Sequence, residues 1–265
     1  MMSLLELKDV CFSYHSKDAE VIALKNVSFK VEEGAFFGII GPSGCGKTTI
    51  LNLLAGIYPP ASGEILLRGK NVSETSSKIG LMPQRDQLFP WRTIESNVLL
   101  GPELMGKRNR ETKEYATVLL KKYGLGDFIK KFPSELSGGM RQRSALIRTL
   151  VVRPDILLLD EPFSALDFQT RITVCDDVHS IIKQEKKTAV LVSHDINECV
   201  SLCDKIVVLS KRPAHVVEVI DIELDPSLTP LQRRECVDFP DYFKKIWKLL
   251  EDKNERSTTK ISEKA

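Results

Sequence analysis

Gly41-Pro-Ser-Gly-Cys-Gly-Lys-Thr-Thr49 is the stretch from which the rest of the chain is read. It fits G-x-x-x-x-G-K-[ST], with Gly41, Gly46, Lys47 and Thr48 at the fixed positions. Before it, residues 35–40 (Ala-Phe-Phe-Gly-Ile-Ile) are apolar enough for a buried strand. After it, residues 48–55 predict a helix ending near Gly56, with Ile50, Leu51, Leu53 and Leu54 as its apolar positions. Strand, loop and helix in that order are the setting the motif requires. Its glycines let the backbone N–H groups turn inward as a nest for phosphate oxygens, and the helix start adds favourable partial charge. Lys47 is then expected to reach the β- and γ-phosphates of a nucleotide, and the Thr48 hydroxyl to ligate Mg²⁺.

The whole chain bounds what such a site serves. Its 265 residues suffice for one large domain or two small ones, and 42% are hydrophobic, enough for a sizeable core. Lys and Arg number 38 against 36 Asp and Glu, so a net charge of +2 gives no electrostatic case for nucleic acid or an anionic membrane surface. Cys11, Cys45, Cys175, Cys199, Cys203 and Cys236 form no C-x-x-C pair. Cys199 and Cys203 lie one helical turn apart with no histidine or further cysteine nearby to complete a metal set, and read as reduced thiols on a helix face, which points to the cytosol. The sequence opens without a basic leader, and no apolar run approaches the ~20 residues of a membrane span. The expectation is a soluble intracellular protein.

Residues 4–31 alternate in strand fashion (Leu5, Leu7, Val10, Phe12, then Val27, Phe29, Val31) around a polar turn at 15–20. Tyr14 ends the first run, either as plain packing or as a stacking residue for an adenine ring. Further short strands are expected at 64–68 and 78–82. From about 87 to 152 the texture turns helical, with helices expected at 94–100 and 110–123 and Gly124 as the residue ending the second. Leu136-Ser-Gly-Gly-Met-Arg-Gln-Arg143 leads into another helix, with Ser137 at its N-cap. The Ser137 hydroxyl and the Gly138 and Gly139 amides there suit a second anion site. Arg141 and Arg143 read as solvated or interfacial.

Ile156-Leu-Leu-Leu-Asp160 is a short buried strand whose end offers Asp160 to Mg²⁺ and Glu161 to an attacking water. An amphipathic helix at 168–183 and apolar strands at 188–193 and 205–209 follow. Alternating strands and helices imply a mostly parallel sheet, whose ligands bind at the strands' carboxyl ends. Lys47, Asp160, Glu161 and His194 all fall at or just past such ends. The last ~25 residues read as a short amphipathic piece (242–250) and a charged, frayed tail.

With these pieces in chain order, residues 4–224 resemble an ATP-binding cassette (ABC) ATPase. The resemblance implies an α/β fold of the P-loop NTPase (RecA-like) kind. A mostly parallel core would carry an N-terminal antiparallel β subdomain and an inserted helical subdomain at about 87–152, with a cassette at 1–224 and an extension at 225–265. It implies that Gly41, Pro42, Ser43, Gly44, Cys45, Gly46, Lys47, Thr48 and Thr49 form the Walker A loop for ATP, and that Tyr14 stacks on adenine. Ser137, Gly138 and Gly139 belong to the signature that covers ATP. Gln84 matches the Q-loop glutamine, and Thr48, Gln84 and Asp160 the Mg²⁺ set. Glu161 matches the catalytic glutamate, Ser164-Ala-Leu-Asp167 the D-loop and His194 the switch histidine, so Glu161, His194, Lys47 and Gln84 carry the catalytic roles.

One such chain holds one Walker A and one signature, which implies an ATP-dependent head-to-tail dimer of two copies. Leu88-Phe-Pro-Trp-Arg-Thr-Ile-Glu-Ser-Asn-Val98 and Phe239-Pro-Asp-Tyr-Phe243 are similar to importer ATPases of the nitrate/sulfonate/taurine type, whose relatives carry thiamine-precursor pyrimidines. That implies integral membrane permease partners, indirectly a solute-binding protein, and a place on the cytoplasmic face of the cell membrane. The alternatives are a non-transport ABC ATPase and the ATPase of an exporter. The former is opposed by the single cassette and the lack of sustained heptads, a cysteine–zinc module or a basic footprint. A P-loop kinase would leave residues 136–142 unexplained.

Overall fold

The computed structural model describes residues 3–15 and 19–258, with residues 77 and 252–258 described by backbone alone. In chain order the first elements are β1 (Ser3–His15), β2 (Glu20–Glu32), β3 (Phe36–Ile40), α1 (Lys47–Leu54), β4 (Ser62–Leu67), β5 (Lys70–Asn71) and α2 (Val72–Thr75). Next come β6 (Ile79–Met82), α3 (Ile94–Val98), α4 (Leu100–Leu104), α5 (Arg110–Lys122), α6 (Gly138–Leu150), β7 (Ile156–Asp160) and α7 (Phe168–Gln184). The last are β8 (Thr188–Ser193), α8 (Ile196–Leu202), β9 (Lys205–Leu209), β10 (Val216–Asp221), α9 (Pro230–Arg233) and α10 (Phe239–Thr258). They divide into two compact units, Met1–Ser76 with Thr188–Ala265, and Ser77–Lys187.

The first unit holds an antiparallel sheet in the order β2-β1-β4-β5 and a run of strands β10-β9-β3-β8. In the antiparallel sheet, the apolar alternation of β1 skips a phase between Leu7 and Val10. A bulge accounts for it: the register shifts there, Asp9 takes φ 47°, and its N–H donates to Ser28 Oγ at 2.8 Å. In the other run, β3 pairs in parallel with both β8 and β9, so all five of its residues are buried, as a central parallel strand requires. Ile40 stands opposite Ser193 in the register. Gly41 and His194 therefore leave the sheet side by side, at the carboxyl ends of two neighbouring strands.

The carboxyl-terminal helix departs from the expected short amphipathic piece. It runs from Phe239 to Thr258, with Phe239 and Ile246 buried. The charged run after Leu250 extends the helix instead of ending it, because Glu, Lys and Arg are good helix formers. Residues 259–265 of the expected tail lie outside the described residues.

In the second unit, β6 and β7 pair in parallel from Ile79 opposite Ile156 to Met82 opposite Leu159. The single helix expected at 94–100 is two, α3 and α4, meeting at Leu99. Pro102, without an N–H, cannot continue α3 but is tolerated in the first turn of α4. Helix α5 starts at Asn109, whose side chain accepts from Thr112 N, and ends before Gly124 at φ 75°, as expected. Helix α6 starts at Ser137, whose side chain accepts from Met140 N at 3.3 Å. That is the cap the sequence predicts.

Candidate active site

The phosphate loop belongs to the first unit. Helix α1 begins at Lys47 behind Gly46, which takes φ 124°. No side chain caps this helix and no acid lies in its first turn, so the first N–H groups are left for an anion. The loop backbone runs where side chains do not fit. A Cβ at Gly41 would lie 2.8 Å from Cys45 Sγ and 3.0 Å from Leu209 Cβ, and one at Gly46 3.1 Å from Leu24 Cδ2. Lys47 is only 7% exposed, and its Nζ donates to the carbonyl oxygens of Gly41 (2.8 Å) and Pro42 (3.1 Å). Cys45 N bonds to Pro42 O, closing the turn that carries Ser43 and Gly44. Open amides, a buried ammonium and the Thr48 hydroxyl together are chemistry that suits phosphate and its Mg²⁺.

Tyr14 borders this loop: its hydroxyl and Thr49 Oγ1 are 2.9 Å apart. Its exposed ring meets Phe12 and Tyr58 edge-on, with centroids 5.0 and 6.4 Å away. Phe12 and Tyr58 stack on one another at 5.6 Å, so Tyr14 is one member of an aromatic group of three, which the strand alternation that contains Phe12 does not reveal.

Gln84, Asp160 and Glu161 belong to the second unit, His194 to the first. Because Met82 pairs with Leu159, Gln84 and Glu161 emerge at neighbouring strand ends. There Gln84 Nε2 donates to Glu161 Oε2 at 3.2 Å and to Ser164 Oγ at 3.3 Å. With the nitrogen so engaged, the amide oxygen of Gln84 is the atom left for a cation. Asp160 ends β7 half-buried. Glu161 takes φ 43°, a left-handed conformation that strains a non-glycine residue. Its carbonyl accepts from both Ser164 N (3.2 Å) and Ser164 Oγ (2.9 Å), a tight turn that holds the strained residue in place. Ser164 thus contacts both Gln84 and Glu161, a link that spacing alone does not reveal.

The signature segment opens α6. A Cβ on Gly138 would meet Leu166 Cδ2 at 3.1 Å, and one on Gly139 would meet Val174 Cγ2 at 2.8 Å. Close packing alone therefore requires glycine at 139. Gln142 is buried and its amide donates to Pro162 O, which ties α6 to the turn after Glu161. Arg141 and Arg143, read as solvated or interfacial, are partly exposed and engaged with acidic and carbonyl partners. Arg141 bridges Asp86 (3.1 Å) and Leu136 O (2.8 Å), and Arg143 pairs with Asp177 at 3.6 Å. Both guanidiniums lie near acceptors of their own unit that the linear sequence does not place.

Two further residues are set by their surroundings and not by their neighbours in the chain. A thiol beside Lys47 and a helix start is expected to gain thiolate character. Instead Cys45 is 1% exposed, and burial, outweighing the pull of Lys47, pushes its pKa up. The other is Asn97, fully buried, which accepts from Phe89 N and donates to the carbonyls of Phe89, Arg92 and Thr93. It pins the 89–93 loop so that Trp91 is 71% exposed. Nothing in the sequence around Asn97 marks this role.

A phosphate loop opening an uncapped helix, with a glutamate held at a strand end, defines a nucleotide-binding protein. The chain belongs to the ABC transporter family, whose model matches residues 24–164. It is 43% identical over 250 residues to the ABC transporter ATP-binding protein YtlC of Bacillus subtilis, covering 94% of this chain and 96% of that one. It is 38% identical over 221 residues to the aliphatic sulfonates import ATP-binding protein SsuB of Bacillus cereus, covering 83% and 86%. Among solved structures it resembles the dimeric post-hydrolysis state of the ATP-binding cassette MJ0796 bound to ADP and Pi. There the TM-score is 0.69 at 30% identity, over 83% of this chain and all of that one.

Proposed function

We propose that this chain is the ATP-hydrolysing subunit of a membrane importer, acting as a head-to-tail dimer on the cytoplasmic face of the cell membrane. The observation that carries the reading is the contact of Gln84 with Glu161, a carboxylate held in a strained turn at a strand end, in an ABC transporter ATPase. Lys47 and the loop amides from Gly41 to Thr49 bind the phosphates, and Tyr14 packs on the adenine. Mg²⁺, bound through Thr48, Gln84 and Asp160, would offset phosphate charge. Glu161 takes a proton from the attacking water, and a strained, pre-set backbone spares it reorganisation when the charge develops. His194 donates to a γ-phosphate oxygen and so reads whether it is still attached. Ser137, Gly138 and Gly139 of the second copy cover the nucleotide. Residues 1–224 form the cassette, with residues 225–265 as its extension.

The SsuB relative supports a small anionic solute such as a sulfonate as cargo. In the 89–93 loop the exposed Trp91, with Phe89 at 5.1 Å between ring centroids, offers an apolar anchor to a permease helix. Among the described residues no helix is long and apolar enough to cross a membrane, so the path for solute is assigned to the permease. Co-purification with candidate permeases, followed by ATPase assays with candidate solutes and their binding protein, tests this. Stimulation by one solute class is expected. A chain that hydrolyses ATP but binds no permease would leave the ATPase and remove the importer.

A further inference from the structure

Beneath the strand end that carries His194 lies a set of buried polar groups that the proposed reaction does not use. Ser193 is 1% exposed, and Glu198, in the first turn of α8, is 3% exposed. Ser193 Oγ donates to Glu198 Oε2 at 2.6 Å and accepts from Asp195 N at 3.0 Å. The one hydroxyl proton is thereby committed to the carboxylate, which turns a lone pair of the oxygen toward the Asp195 amide. Asp195 Oδ1 accepts from Asn197 N at 2.8 Å, and Ser201 Oγ holds the carbonyls of Asn197 (2.7 Å) and Glu198 (3.2 Å). His194, itself exposed, is the residue between two that this network anchors. On its other side the loop faces a cavity of about 440 Å³ bounded by Phe243, Trp247 and Leu250 of α10.

Burying a carboxylate is unfavourable unless hydrogen bonds compensate it, and an apolar residue would fill the same space without that penalty. Here the carboxylate orders one turn of backbone whose first residue, Ser193, pairs with Ile40 at the mouth of the phosphate loop. We infer that Glu198 is a positioning residue for His194. Acting through Ser193, it fixes the backbone on both sides of the histidine and so sets where the imidazole stands beside Gly41. The kinetic consequence rests on the proposed role of His194; the structural one does not.

The test uses the full chain with ¹³C-labelled histidine, whose four residues (His15, His179, His194, His215) are assigned by substitution. Glu198→Ala is expected to move the His194 ring resonance and to speed hydrogen exchange of the Asp195 amide by about ten-fold, as loss of one hydrogen bond allows. It should lower kcat for ATP hydrolysis by about ten-fold with KM within about two-fold, since only the placement of one group changes. Glu198→Gln, which keeps an acceptor for Ser193, should restore all three. In a His194→Ala background, Glu198→Ala should lower kcat no further. Should Glu198→Ala fail to fold, Ser193→Ala breaks the same link and carries the same expectations. An unmoved His194 resonance with unchanged Asp195 exchange overturns the proposal, as does an equal loss of kcat with and without His194. If His194→Ala hydrolyses ATP at the wild-type rate, the switch role is lost, and resonance and exchange alone decide for or against Glu198.

Discussion

Helices α1 and α6 both begin at glycines that the sequence marks for phosphate, yet they begin differently. At α1 no side chain satisfies the first amides, Gly46 takes φ 124°, and a buried Lys47 folds over the loop. At α6 the Ser137 side chain accepts from Met140 N, and Gly139 has a plain packing reason in its 2.8 Å approach to Val174. The first start is shaped for a ligand at some loss of local stability; the second is a finished helix end that also carries a signature. Glycine at a helix start is thus ambiguous until the cap and the neighbours of its missing Cβ are known.

The comparison breaks most readily at Lys47. Lys47→Ala removes the buried ammonium that would meet phosphate charge, so ATP affinity should fall by roughly 10² or more, as loss of one partner of a desolvated charge pair entails. Equilibrium binding of a fluorescent ATP analogue reads it, and unchanged affinity would remove the ligand reading of α1. At α6 the largest effect should be on stability. Gly139→Ala overpacks against Val174 and should cost about 1–3 kcal/mol in urea unfolding. Ser137→Ala, which deletes the cap, should cost about 1 kcal/mol by the same measurement. If neither substitution changes stability, the two helix starts are not different in kind. The smallest effect concerns Cys45. Burial raises its pKa, so at pH 7 it is held as the thiol, and alkylation should be slower than at Cys11 and Cys236, which are partly exposed. Its rate should climb as pH rises past the ordinary thiol range near ~8.5, because only the thiolate reacts. Peptide mapping after timed iodoacetamide treatment checks both points.

Much of this was legible because it rests on local pattern. The phosphate loop, the strand before it, the Ser137 cap and the Gly124 helix end each depend on a few neighbouring residues. Phase breaks were visible but unexplained: the skip from Leu7 to Val10 needed the Asp9 bulge and its partner Ser28 on β2. What the sequence hid is what distance in the chain hides. Asn97 reaches back eight residues to Phe89, Arg141 reaches fifty-five to Asp86, and Gln84 reaches seventy-seven to Glu161. The loop that carries Cys45 also packs against Leu209, more than 160 residues away, which the sequence does not place. Helix α10 outruns its expected length because a charged run, which suggests fraying, also favours helix.

Glu161 is where the account is most exposed, because one atom separates its two forms. Glu161→Gln keeps the size of the side chain and a hydrogen-bonding partner for Gln84, but removes the basic oxygen. The steady-state rate of ATP hydrolysis by this variant should fall by about 10²–10⁴, the usual contribution of a general base. MgATP binding should persist, with Lys47 and Tyr14 untouched, and the protein should elute as a dimer in MgATP. Hydrolysis near the wild-type rate would contradict the assignment of Glu161 as the base.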